Sequence, residues 1–140
     1  IFSLILNLTL NYYIMNTKSF LASGVAGTII YFLLGWLFYG ILFVNIYTQE
    51  QSMLFILLGC IFYAFSFALI FNRWAQISTF SSGVKAGFLI GLLWSLSMNF
   101  FMYATKESID SNFLILIAID AVSAAIMGGV IAVVIGKTKA

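Results

Sequence analysis

A carboxylate, Asp120, is the side chain whose position in the sequence most suggests chemistry. It lies in LIAIDAVSAAIMGG, residues 116–129, within an apolar run long enough to cross a bilayer. Charge inside hydrocarbon is costly. A carboxylate at that depth is therefore expected either to hydrogen-bond to a neighbouring helix or to mark a path for a proton or cation. Asn99 is the nearest expected partner, and counting along the other helices brings Tyr31 and Tyr63 within about a turn of the same level. An acid held by Asn99 would contribute about 0.6–2 kcal/mol to helix pairing, and pairing is the role expected first. Arg73 belongs near the opposite surface, out of direct reach.

Other chemistry finds little support. The chain has no histidine and one cysteine, Cys60. That removes an internal disulfide, Cys/His metal sites, His-ligated haem and nucleophile pairs built on histidine. Cys60 reads as a small buried apolar residue. Glu107 and Asp110 are three residues apart and read as solvated loop charges, not as an acid–base pair. An intramembrane aspartyl protease needs two apposed carboxylates, and only Asp120 is embedded. The expectation is a protein that is not an enzyme and uses no cofactor or metal.

The elements that must position Asp120 follow from composition. The chain is 64% hydrophobic and 7% charged, against about 25% charged residues in soluble domains. Too few polar side chains remain to cover a water-facing surface, so the lipid bilayer is the expected surrounding. A net charge of +2 gives no electrostatic footprint for nucleic acid. Crossing a bilayer takes about 20 apolar residues as helix. Four stretches qualify, at about 20–46, 53–72, 85–105 and 112–136. The runs are continuous, whereas membrane strands would alternate. An all-α integral membrane protein with four transmembrane helices is expected, forming one membrane domain over 15–140.

Lys18, Arg73, Lys85, Lys137 and Lys139 fall on one face after four crossings, and Lys106 alone falls on the other, beside Glu50, Glu107 and Asp110. The positive-inside rule makes the first face, with both termini, cytoplasmic. Trp74 and Tyr47 suit interfacial anchoring. Residues 1–14, IFSLILNLTLNYYI, reach only about 21 Å as helix, too short to span. Met15 opens MNTKSF, so residues 1–14 read as a non-native upstream extension or an interfacial segment.

Spans three and four share a pattern. One carries Gly83, Gly87, Gly91, Ser95 and Asn99; the other carries Asp120, Ala124, Gly128, Ala132 and Gly136. Small residues four apart form a ridge that lets helix backbones approach closely. The rows mirror each other about the connecting turn, which predicts a tightly packed antiparallel hairpin. The expected pairs are Asn99 with Asp120, Ser95 with Ala124, Gly91 with Gly128, Gly87 with Ala132 and Gly83 with Gly136. In span one, Gly24, Gly27 and Gly35 offer similar packing surfaces.

The stretch LGWLFYGILF, residues 34–43, resembles the first-span signature of the bacterial membrane family catalogued as domain of unknown function 1761. The similarity continues in KAGFLIGLLWSL and IDAVSAAIMGGVIAVV. Ile41 stands where that family often has proline, and Phe38 where it often has tryptophan. Position 120 is often an amide there. The resemblance implies a small four-span protein of the bacterial inner membrane with no assigned reaction. The function expected from the sequence is a non-enzymatic membrane protein that associates with itself or a membrane partner. The alternative is a small proton- or cation-coupled transporter that uses Asp120.

Overall fold

The computed structural model describes residues 1–5, 17–42, 52–105 and 110–138. Met15, Tyr47, Glu50, Lys106, Glu107, Lys139, residues 6–14 and residues 43–46 of the first expected span lie outside the described residues. Four long helices account for most of the rest. Helix α1 covers Thr17–Leu37 and runs on as a wider π turn, Phe38–Leu42. Helix α2 covers Met53–Leu69 and ends in a second π turn, Ile70–Trp74. Helix α3 spans Phe80–Met102, followed by the 3-10 turn Tyr103–Thr105, and α4 spans Ser111–Thr138.

All four are long and apolar enough to cross a membrane, at 26, 22, 23 and 28 residues with the π turns included. With no water in the bilayer core, each span must satisfy its backbone internally. Polar side chains inside the spans follow the same rule. Thr28 donates to the Gly24 carbonyl at 2.8 Å, and Ser66 donates to that of Phe62 at 2.7 Å.

Helix ends follow recognisable caps. Thr79 precedes α3, and its Oγ1 accepts from the Ser82 amide. Helix α3 therefore begins at Phe80, five residues before the expected 85, with Ser81 and Ser82 inside its first turn. At the other end of that loop Gln76 takes a left-handed conformation, φ 52°. This is the position after a helix end that glycine usually fills. Asp110 is a cap as well as a surface charge: its Oδ1 accepts from the Phe113 amide at 3.3 Å and from the Tyr103 hydroxyl at 2.6 Å.

Helix α4 is the centre of the bundle. Within its most apolar stretch 61% of residues are buried, against 11–28% in the other three helices. It packs on α3 along one side and on α1 along another, and α1 in turn packs on α2. Helices α2 and α3, joined by the short loop 75–79, make little contact with each other. The chain of neighbours is therefore α3, α4, α1, α2, with a cleft between its two ends.

The apolar core lies in the half of the bundle nearer Lys18, Arg73, Lys85 and Lys137. Phe67 and Phe71 of α2 meet Met127, Ile131 and Ile135 of α4 there. Thr138 donates to Ser19 at 3.0 Å, tying the end of α4 to the start of α1. Gly24 and Gly27 of α1 admit Phe65, Ala64 and Ile131, with no room for a Cβ. Gly35 differs from the expectation: nothing lies within 4 Å of where its Cβ would be.

The hairpin of α3 and α4 is in backbone contact. A Cβ on Gly83 would lie 2.5 Å from the Gly128 carbonyl oxygen, and one on Gly128 would lie 2.5 Å from that of Gly83. The expected small-residue rows do face each other, but the register is one turn away from the mirrored pairs. Gly83 lies against Ala132 and Gly128, Gly87 against Gly128 and Ala124, and Gly91 against Ala124. Gly136 instead abuts the carbonyl of Ser78 in the α2–α3 loop. The cause is where the helices stop. Helix α3 ends at Met102, three residues before 105, and α4 starts at Ser111, one before 112. The mirror point moves by two residues, so the pairing moves by four.

Candidate functional site

The shifted register puts Ser95, not Asn99, opposite Asp120. Ser95 Oγ donates to Asp120 Oδ2 at 2.8 Å. Asn99 sits one turn further along α3 and reaches the acid only through Ser95. Its Nδ2 donates to the Ser95 carbonyl at 2.8 Å and to Ser95 Oγ at 3.0 Å. Both side chains are almost fully buried, Ser95 at 2% and Asn99 at 4% exposure. The amide occupies a lone pair of the serine oxygen, which leaves the serine proton to point at the carboxylate. Such a chain polarises each bond in the same direction.

The second carboxylate oxygen is held from α1. The Tyr39 hydroxyl donates to Asp120 Oδ1 at 3.3 Å. Tyr39 is not among the neighbours that the sequence suggests for Asp120. Two features bring it inward: it lies in the π turn Phe38–Leu42, whose wider winding changes the direction its residues face, and its side chain is long enough to reach down one turn. A signal existed in the sequence, since Tyr31, Gly35 and Tyr39 recur every fourth residue along one face of α1.

Tyr31 and Tyr63 meet beside the acid, their ring centres 5.0 Å apart. Tyr63 continues an aromatic ladder down α2, with Phe67 at 5.0 Å and Phe71 beyond it at 5.7 Å. The ladder leads from the site into the packed half of the core. Asp120 lies nine residues into α4, about 13 Å from its start.

Among the described residues, two cavities open on Asp120. The first, about 370 Å³, lies between α1 and α2 and is lined by Tyr31, Gly35, Trp36, Tyr39, Cys60 and Ser123, among others. The second, about 540 Å³, lies in the cleft between α2 and α3, where Gly59, Tyr63, Ser66, Trp94, Ser95 and Met98 contribute. Both volumes fall in the range of sites for small organic ligands. Asp120 and Tyr31 line both, and among the described residues no lysine or arginine lines either. Cys60 is buried, as expected, yet it also forms part of both walls. Arg73 is ten residues beyond Tyr63 on α2, about 15 Å along the axis.

The arrangement can hold a cation. Two hydroxyl donors fix the carboxylate, and open space flanked by aromatic rings adjoins it. Among the described residues no three metal-ligating side chains converge, so a metal ion would find a single carboxylate here. No family model matches the chain, and no curated protein or solved structure matches it at a significant level.

Proposed function

We propose that this four-span protein is non-enzymatic and that Asp120 is a cation- or proton-binding centre, the core of a small coupled membrane transporter. The observation that carries this reading is the shared position of Asp120: it lines both cavities while Ser95 and Tyr39 hold it as an acceptor. A carboxylate with only a pairing role needs partners but no open volume beside it. Charge distribution supports an orientation in the bacterial inner membrane, with the Lys18, Arg73, Lys85 and Lys137 face cytoplasmic.

Infrared spectroscopy of the purified protein across pH, with Asp120→Asn as reference, tests the reading. The carboxylic acid carbonyl band that vanishes in the variant should change with pH. A band that stays constant from acid to alkali would make Asp120 purely structural.

Self-association is the second reading. It rests on the lipid-facing row Leu21, Val25, Ile29, Leu33 and Trp36 of α1, each 50–58% exposed. Cross-linking in native membranes should then trap a dimer through α1, and monomer alone would remove the idea.

A further inference from the structure

We infer that the ligand of the Asp120 centre is a monovalent lipophilic organic cation, admitted from the bilayer through the cleft between α2 and α3; this rests on the reading of Asp120 as a cation centre. The first support is the chemistry of the walls. Around one carboxylate they present Tyr31, Tyr63, Trp36, Trp94 and Met98. Aromatic faces attract an organic cation and replace little of the hydration that a bare metal ion would lose. A small inorganic ion would need several oxygen ligands.

The second support is independent of charge. Most glycines in these helices are pressed against another helix, where a Cβ would collide. Gly35 and Gly59 are different, since nothing lies within 4 Å of a Cβ on either. Gly35 lines the cavity between α1 and α2, and Gly59 lines the cleft between α2 and α3. Both keep volume open beside Asp120 where a larger side chain would fill it. A glycine in a helix costs stability relative to alanine, so these two positions forgo stability without serving close packing.

The third is the route. Helices α2 and α3 barely touch, and Gly59, Phe62, Ser66, Trp94 and Met98 border the gap. The cleft leads from the lipid-facing side of the bundle to the carboxylate. A cation already dissolved in the bilayer reaches Asp120 there without crossing a polar surface.

The test is equilibrium dialysis of labelled tetraphenylphosphonium against the detergent-solubilised full chain, with neutral tetraphenylmethane as competitor. Saturable binding is expected, weakened by roughly thirtyfold or more in Asp120→Asn, because a buried charge loses its partner. Gly59→Trp should slow uptake from liposomes. Leu114→Trp, on the exposed outer side of α4, should leave uptake as it is and shows that added bulk alone has no effect. Equal binding by wild type and Asp120→Asn, or full displacement by tetraphenylmethane, would overturn the inference. So would unchanged uptake in Gly59→Trp. If the Asp120 infrared band responds to pH while wild type does not bind the phosphonium, the cation centre stands and the organic ligand is refuted. If the band does not respond, the underlying reading fails first.

Discussion

The close approach of α3 and α4 makes a quantitative prediction about two substitutions of identical chemistry. Gly87→Ala puts a methyl group against the carbonyl oxygen of Ala124, with the Gly128 Cα only 3.2 Å away. Both obstacles are backbone, so no side chain can rotate aside and the helices must part. Overpacking of this kind costs about 1–3 kcal/mol. Gly59→Ala meets nothing within 4 Å. Each variant gains the same intrinsic preference of alanine for helix, about 1 kcal/mol, and that term cancels in the comparison. The difference in stability between them should therefore be about 1–3 kcal/mol, with Gly87→Ala the less stable. Reversible unfolding in mixed micelles, followed by loss of helix signal, measures it directly. Gly24→Ala supplies an intermediate case, because its obstacle is the ring of Phe65, with atoms at 2.5 and 2.6 Å, and a side chain can turn away. Equal midpoints for Gly87→Ala and Gly59→Ala would refute the backbone-contact account of the hairpin.

Further tests address single interactions. Ser95→Ala removes the donor at 2.8 Å to Asp120 and the acceptor that Asn99 uses, so it should cost about 1 kcal/mol and shift the Asp120 carbonyl band. An unshifted band would mean that Ser95 does not hold the acid. Asp110→Ala deletes the cap of α4 and the partner of Tyr103; a loss of about 1 kcal/mol is expected, read from the same micelle unfolding. Ser19→Cys with Thr138→Cys, in a chain with Cys60 replaced by serine, should form an intramolecular disulfide on mild oxidation, since the native hydroxyls are 3.0 Å apart. Its absence on non-reducing gels would contradict the contact between α1 and α4.

The spans were legible because hydropathy over some 20 residues is a strong signal, and the small residues of α3 and α4 were legible because their spacing is regular. The register was not. It depends on where the helices stop, which the Tyr103–Asp110 bond and the capping of α4 set locally. Moving two ends by one and three residues exchanged Asn99 for Ser95 as the direct partner of Asp120. Tyr39 escaped notice because no pattern in FYGIL announces a π turn. Gly35 looked like Gly24 and Gly27, and only the placement of α2 separates a glycine that admits a neighbour from one that borders a void. Tyr31 and Tyr63 lie beside Asp120, where residue counts along straight helices translate directly into level.

The loop 75–79 fixes α2 and α3 to each other at one end, while the cleft between them runs towards the other. Geometrically this is a lever. From Trp74 back to Met53, α2 extends 22 residues, about 33 Å at 1.5 Å per residue. A tilt of about 5° at the loop would carry the far end of α2 by about 3 Å, roughly the radius of a phenyl ring, and would leave the Phe71 end almost still. Beside Asp120, at Tyr63 and Gly59, the same tilt moves α2 by about 1.4–2 Å, so small angular changes near Gln76 widen the cleft there while the packed half of the core needs little rearrangement.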